Sequence, residues 1–169
     1  AAGRWETAQG GEYFAAGVGG AITGRGADLL IIDDPHSEQD ALSPTAMESA
    51  YEWYTSGPRQ RLQPGGRIIC VMTRWSKKDL TGMLLSKQKE AKADQWEIVE
   101  FPAIMDHGSE IEPVWPEYWN KEELEKVKAT LPVGKWNAQW MQNPTSEEGA
   151  IIKREWWRKW KEDKIPPLQ

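Results

Sequence analysis

The chain has little of what would staple it, anchor it or make it a metalloprotein on its own. Of 169 residues, one is cysteine and two are histidine. A single cysteine excludes an internal disulfide framework and a cysteine-ligated zinc site, and a reducing compartment fits. No apolar run approaches the roughly 18 residues of a membrane span. The first residues, Ala1-Ala2-Gly3-Arg4-Trp5, contain neither a methionine nor the apolar stretch of a secretory signal. We therefore expect a piece of a longer protein, without a signal peptide. The pattern G-x-x-x-x-G-K-[ST] occurs nowhere, so the glycine-rich phosphate cradle and its lysine are lacking. Gly24 and Gly26 stand before an apolar run rather than after one, which excludes the dinucleotide fingerprint. There are no internal repeats and no low-complexity tracts. The formal net charge of −5 argues against a protein that coats nucleic acid at large, while leaving room for local basic patches.

What is present describes one folded domain with a real core: 39% of residues are apolar and 28% charged. The 11 tryptophans lie mostly beyond position 95 and are read as packing and interface surface, with no chemistry of their own. The organising stretch is Leu29-Leu30-Ile31-Ile32-Asp33-Asp34-Pro35. Four apolar residues run into two carboxylates and a proline, which predicts a strand buried on both faces and ended by Pro35. Two carboxylates at the carboxyl end of such a strand are placed where open α/β sheets bind ligands. The alternative is a strand followed by an acidic turn.

Around that strand the order of elements is regular. Gly10-Gly11 between residues 4–9 and 12–16 predicts a hairpin. Ser43-Pro44 supplies an N-cap and a proline at the first helical position, and Met47, Ala50, Tyr51 and Tyr54 share one helix face. Gly57-Pro58 ends that helix, and Pro64-Gly65-Gly66 is a turn. Ile68 to Met72 predicts a second buried strand ending at Thr73-Arg74-Trp75. Ser76 with Asp79 reads as a capping box for a helix over 77–90. Trp96 to Phe101 alternates as a third strand, completing β-α-β-α-β with parallel crossovers. Beyond Pro102, Asn120 with Glu123 caps a helix over 121–130, a second short helix spans 135–142, and Asn143-Pro144 through Gly149 is a linker.

Two parallel strands thus end in Asp33-Asp34 and Thr73-Arg74 on one edge. Carboxylates, a hydroxyl and a guanidinium suit a Mg²⁺-bound phosphate; alternatively, Arg74 pairs internally with Asp33 or Asp34. Asp33, Asp34 and His36 have the donor types of a phosphoesterase metal cluster, but without supporting spacing elsewhere, His36 and His107 are read as loop residues. The tract Lys153 to Lys161 interleaves Lys153, Arg154, Arg158, Lys159 and Lys161 with Trp156, Trp157 and Trp160. It is read as an inter-domain linker whose tryptophans pack on the core, with DNA binding or a membrane surface as alternatives.

Ile22-Thr23-Gly24-Arg25-Gly26-Ala27-Asp28 leading into Leu29–Pro35, then Pro64-Gly65-Gly66, Met72-Thr73-Arg74-Trp75, Asp79-Leu80, Pro102-Ala103-Ile104, Trp115-Pro116-Glu117, Gln139 to Pro144, Gly149 and Lys153–Trp156 resemble, in one collinear order, the large subunit of tailed-bacteriophage terminases. The resemblance implies the carboxyl-terminal half of a partial P-loop NTPase-type (RecA/ASCE-like) α/β sheet over residues 1–115. A helical segment over 116–149 follows, then a linker over 150–169 toward a nuclease domain. It makes Ile31–Asp34 the Walker B element, with Asp33 serving the metal and Asp34 standing where many relatives carry a catalytic glutamate. Thr73-Arg74 becomes the element coupling the γ-phosphate to domain motion. Arg25 is either a phosphate contact or a solvated turn arginine. The implied cofactors are Mg²⁺ and ATP in the intact protein. The implied partners are double-stranded viral DNA, the terminase small subunit, the portal protein and further copies on the procapsid, with no membrane. The implied place is the cytoplasm of an infected bacterium. Without the P-loop, and with the nuclease site lying beyond residue 169, the chain alone is expected to be inactive. In this ATPase class the P-loop strand lies between the strand ending at Thr73 and the one beginning near Trp96, so both are expected to lack a neighbour. A different reading is a non-catalytic nucleic-acid-binding or assembly module built on the basic, tryptophan-rich end.

Overall fold

A computed structural model describes residues 3–106 and 111–145. Their fold is mixed α/β, with three sheets of two strands each, one of them a parallel pair. Among these residues no helix is long and apolar enough to cross a membrane.

The hairpin forms, with shorter strands than the pattern suggested. Strand β1 (Arg4–Glu6) pairs antiparallel with β2 (Glu12–Phe14). The loop between them is Ala8-Gln9-Gly10, closed by Gly10 N–H donating to the Thr7 carbonyl at 3.0 Å and Thr7 N–H to that of Gly11 at 2.8 Å. Gly10 sits at φ 86°, the left-handed geometry of a bulged hairpin turn, so it is the end of a three-residue loop rather than the first of two turn residues.

Strand β3 (Ala27–Asp33) pairs in parallel with β4 (Leu62–Val71), matching Leu30 to Ile68, Ile32 to Cys70 and Asp33 to Val71. The Pro64-Gly65-Gly66 turn lies inside β4. Ala27 pairs with Leu62 but Leu29 with Arg67, so the four residues between are thrown out of register as a bulge, where proline's missing N–H costs nothing. The crossover carries α1 (Pro44–Ser56), capped by the Ser43 side chain accepting from Ala46 N–H at 3.3 Å. Its face Met47, Ala50 and Tyr54 is buried, as the spacing predicts.

Helix α2 (Leu80–Lys87) is shorter than the expected 77–90. Its N-cap is Asp79, accepting from Gly82 N–H, rather than Ser76; residues 76–78 form a turn around that carboxylate. Ile32, Tyr54, Leu80 and Leu84 form the core between sheet and helices, with Leu30, Ile68, Cys70 and Met72 packed on it. The other face of the sheet is bare: Leu29, Ile31, Ile69 and Val71 are all exposed. The expectation of strands buried on both faces is therefore wrong for one face, because no element of the described chain lies against it.

Residues 96–101 form no strand. Trp96 N–H donates to the Gln88 side chain, but the segment has no ladder partner, and a strand needs one. Strands β5 (Ile104–Asp106) and β6 (Ile111–Pro113) make a small antiparallel pair. Helix α3 (Lys121–Thr130) starts at the Asn120 cap, where Asn120 accepts from Glu123 N–H at 3.0 Å. A last helix, α4 (Val133–Lys135), continues into a π turn over Trp136–Trp140, beginning two residues before the expected start. Leu124, Trp136 and Ala138 are buried there, and Trp119, Trp140 and Trp136 stack edge and face on one another.

Candidate functional site

Parallel pairing of Asp33 with Val71 places the carboxyl ends of β3 and β4 side by side. Asp33, Asp34, Thr73 and Arg74 therefore share one edge of the sheet, as the pattern of strand ends suggested. The two adjacent carboxylates are held differently. Asp33 ends the ladder and is exposed. Asp34 is bent out of the strand at φ 39°, a left-handed conformation that a residue other than glycine adopts at a cost. Two hydrogen bonds hold it there: its N–H donates to the Val71 carbonyl at 2.9 Å, and its Oδ1 accepts from Thr73 N–H at 3.1 Å. The bend directs two successive acids to different places, which a regular strand would do only by sending them to opposite faces.

Arg74 pairs with neither of these acids, contrary to the internal pairing considered above. Its Nε donates to Asp79, 3.0 Å from Oδ2, and its Nη2 to the Ser76 carbonyl at 3.3 Å. Asp79 is fully buried and also accepts from the N–H groups of Trp75, Ser76 and Gly82. With this many donors converging on it, the Asp79 carboxylate turns residues 74–79 into a rigid clamp around one guanidinium. Gly82 is part of the clamp: a Cβ there would stand 2.1 Å from the Lys77 carbonyl oxygen, so no other residue lets the turn close on α2. Gln142, left-handed at φ 54°, locks Arg74 from the far end of the chain by accepting its backbone N–H at 3.3 Å.

His36 is not a loop residue of the ordinary kind. It is buried, and its Nε2 accepts from Leu80 N–H at 2.8 Å, tying the loop after Asp34 to the first turn of α2. Accepting at Nε2 puts the proton of the neutral ring on Nδ1, which has no partner among the described residues. Burial lowers the His36 pKa, against the opposing pull of the Asp79 and Asp40 carboxylates. The ring thus acts as a structural acceptor for the Leu80 N–H. Arg25 lies away from the strand ends. It pairs with Glu12 and sits over the Phe14 ring, 4.4 Å from its centroid, so it braces the hairpin.

Two cavities open beside this edge. A groove of about 500 Å³ runs between β4 (Ile68 to Met72), the Thr81, Leu84 and Leu85 side of α2, and the segment from Trp96 to Phe101. It is mostly apolar, with Arg74, Glu97, Glu100 and Gln142 also in its wall, and burial pushes the Cys70 thiol there up to about 11, which makes it a poor nucleophile. At its end lies a cavity of about 480 Å³ with a mixed lining, Arg74, Lys77, Glu100, Gln142 and Asn143 alongside Pro102, Met141 and Pro144.

Asp33 and Asp34 are of the donor type that usually holds Mg²⁺, one or two carboxylates with waters and substrate phosphates completing the octahedron. Among the described residues no group of three or more acid, histidine or cysteine side chains converges to make an all-protein cage. A nucleotide triphosphate fits less well, because the backbone donors of a phosphate cradle are not in this sequence. Sequence reasoning missed the roles of Asp79, His36 and Gln142. Only Asp79 left a signal, as a capping residue. His107 and the tract Lys153 to Lys161 lie outside the described residues. No model of a known protein family matches the chain, and no curated protein sequence matches it.

Proposed function

We propose that the chain is part of an ATP-driven DNA-packaging motor of the tailed-phage terminase large-subunit type, with a P-loop NTPase-like sheet that this chain contributes only in part. The observation that carries the reading is the groove beside β4. The resemblance puts a P-loop strand between the strand ending at Thr73 and the segment starting at Trp96. Those two stretches line opposite walls of one apolar groove. The β4 backbone on that side has no ladder partner among the described residues, and the 96–101 backbone has none on its own side. A strand entering between them would carry its following turn to the end where Asp33, Asp34, Thr73 and Arg74 stand.

In this reading Asp33, the acid that ends the ladder, holds the metal, and Asp34 orients and deprotonates the attacking water. The Asp34–Thr73 hydrogen bond links the acid to the loop that senses the phosphate, and the Arg74–Asp79 clamp keeps that loop in one geometry. Mg²⁺ and ATP are the cofactors; bound together, they supply the labile phosphoanhydride and the charge neutralisation for its cleavage. Viral double-stranded DNA, a small subunit, a portal and further copies of the motor are the partners, in the cytoplasm of an infected bacterium.

The test is a protein that carries this chain together with a P-loop segment. Asp34→Asn should leave nucleotide affinity in place and slow single-turnover hydrolysis by roughly 10²–10⁴, the range for a positioned general base. Asp33→Asn should weaken Mg²⁺-dependent binding as well as turnover, and Asp34→Glu should keep substantial activity. Hydrolysis at the parental rate by Asp34→Asn would sink the assignment.

A further inference from the structure

Among the described residues, two other than glycine stand in the left-handed region, Asp34 at φ 39° and Gln142 at φ 54°. Their side chains hold consecutive backbone N–H groups: Asp34 Oδ1 accepts from Thr73 at 3.1 Å, and Gln142 Oε1 from Arg74 at 3.3 Å. We propose that these two turns form one latch across the Thr73–Arg74 backbone, through which the segment from α3 to Gln142 governs how Asp34 is presented beside Asp33. Gln142 is then a positioning residue for the acid edge. A left-handed turn costs a residue that carries a Cβ, and it persists only where its surroundings over-determine it. Here both turns are held by the same short piece of backbone, gripped from two flanks. Asp34 reaches it from the end of β3, with its own N–H fixed on the Val71 carbonyl at 2.9 Å. Gln142 reaches it from the other flank, in the wall of the groove and of the cavity at its end.

Gln142 belongs firmly to its own segment. Its Nε2 donates to the Gln139 carbonyl at 2.7 Å, and the next residue, Asn143, donates its N–H to the Asn137 carbonyl at 2.8 Å. Leu124, Trp136 and Ala138 bury that segment. A shift of the segment therefore moves Oε1 against Arg74. At 3.3 Å the Gln142 bond is at the long end of the range and is the first to yield. Once it opens, the Thr73–Arg74 backbone is gripped from one flank only, and the partner that holds the Asp34 bend is no longer fixed. Relaxed into an extended conformation, Asp34 would point to the sheet face opposite Asp33. The closed latch keeps both acids at the strand end; the open latch separates them. An exposed ion pair from Lys135 to Glu38, in the loop after Asp34, is a second and weaker tie between the same two parts, at 3.2 Å. Control of Mg²⁺ and water at the edge rests on the roles given to Asp33 and Asp34 above; the latch itself does not.

The experiment is amide hydrogen exchange of the whole chain, read by NMR at Thr73, Arg74 and Tyr54, the last a buried residue of α1 that serves as the reference. Gln142→Gly removes the acceptor and takes up the left-handed turn without strain. Arg74, having lost its partner, should exchange faster. The latch predicts that Thr73, whose own acceptor is intact, also speeds up by about tenfold, within the usual span of a coupling between sites. Coupling is reciprocal, so Asp34→Gly should speed Arg74 by about the same factor. Gln142→Glu keeps a side-chain oxygen at the same reach and should retain protection at both residues. Tyr54 should be unchanged in all three variants. Acceleration confined to the residue whose acceptor was removed would mean two independent caps and would overturn the proposal. So would equal acceleration at Thr73, Arg74 and Tyr54, which is general loss of stability, or loss of protection in Gln142→Glu as complete as in Gln142→Gly. The measurement needs neither Mg²⁺ nor nucleotide. Its failure leaves the motor reading standing, and failure of the hydrolysis test leaves the latch standing.

Discussion

On one face of the β3–β4 sheet, Leu30, Ile32, Ile68 and Cys70 lie under α1 and α2; on the other, Leu29, Ile31, Ile69 and Val71 face solvent. The residue types on the two faces are the same. Their energetics are not, because a side chain contributes about 1.5–3 kcal/mol only when it leaves water. Strands written as continuous apolar runs suit a sheet sandwiched between two layers, and the described residues supply one of the layers. A local pattern therefore reports what a strand is built to meet, not what a given stretch of chain provides. The groove beside β4 repeats the point along the sheet's edge, where β4 and the 96–101 segment face each other without pairing.

The contrast can be broken most directly by cutting equivalent volume from each face. Leu80 is fully buried against Ile32 and Tyr54, so Leu80→Ala should cost about 2–5 kcal/mol in urea or thermal unfolding. Ile69→Ala, on the bare face, should stay within about 0.5 kcal/mol of the parent. Comparable losses would mean that the bare face is covered in solution, by a second copy or by another part of the chain.

How much of this was legible depended on how far each signal reaches. Ser43 and Asn120 mark helix starts because a cap bonds within three residues of itself, and the edges of α1 and α3 follow from those side chains alone. Proline and the polar residues next in sequence placed the strand ends at Asp34 and Met72, each one residue beyond the observed ends at Asp33 and Val71. The left-handed bend at Asp34 left no such sign, since it is held by Thr73, far along the chain. Arg74 and Asp79 are five residues apart, yet their pairing competed with two nearer-looking acids at the strand end, and only the fold decides between them. His36 and Gln142 carry no local sign at all, because each acts by bonding a backbone N–H brought to it by tertiary structure. Residues 96–101 have a strand's alternation but no neighbour, and alternation cannot reveal that.

His36 belongs to the covered side and sharpens the comparison through pH. Its folded pKa is lowered below the ordinary 6.5, so the neutral ring is favoured by folding. The stability it contributes is present above the unfolded value and is lost as pH falls from about 6.5 through the folded pKa. Protonation also removes the Nε2 lone pair that receives Leu80 N–H, a buried bond whose loss costs about 1–3 kcal/mol. Unfolding free energy should therefore fall as the pH drops below about 6.5 in the parent. His36→Gln, whose side-chain oxygen is able to take the same N–H, should be flatter over that window. An identical slope in both proteins would place the acid sensitivity elsewhere, Asp79 and Asp40 being the acids nearest the ring.

The smallest effect on stability is the most telling for the bare face. Replacing Ile31 and Val71 by threonine keeps β-branched side chains on adjacent strands and takes apolar surface off the exposed face. Both positions are more than half exposed, at 57% and 55%, so the native fold has little packing to lose there. Unfolding free energy should change by less than about 0.5 kcal/mol. Self-association should change far more, because a contiguous apolar sheet face beside an unpaired strand edge is a template for copies of the chain. Analytical ultracentrifugation over a concentration series should show the parent associating and the double-threonine variant shifted toward monomer. The edge of β4 is untouched by these two changes, so any association that persists in the variant runs through the groove. A parent that stays monomeric at every concentration would show that the bare face is no liability to this chain, and that something within the chain already covers it.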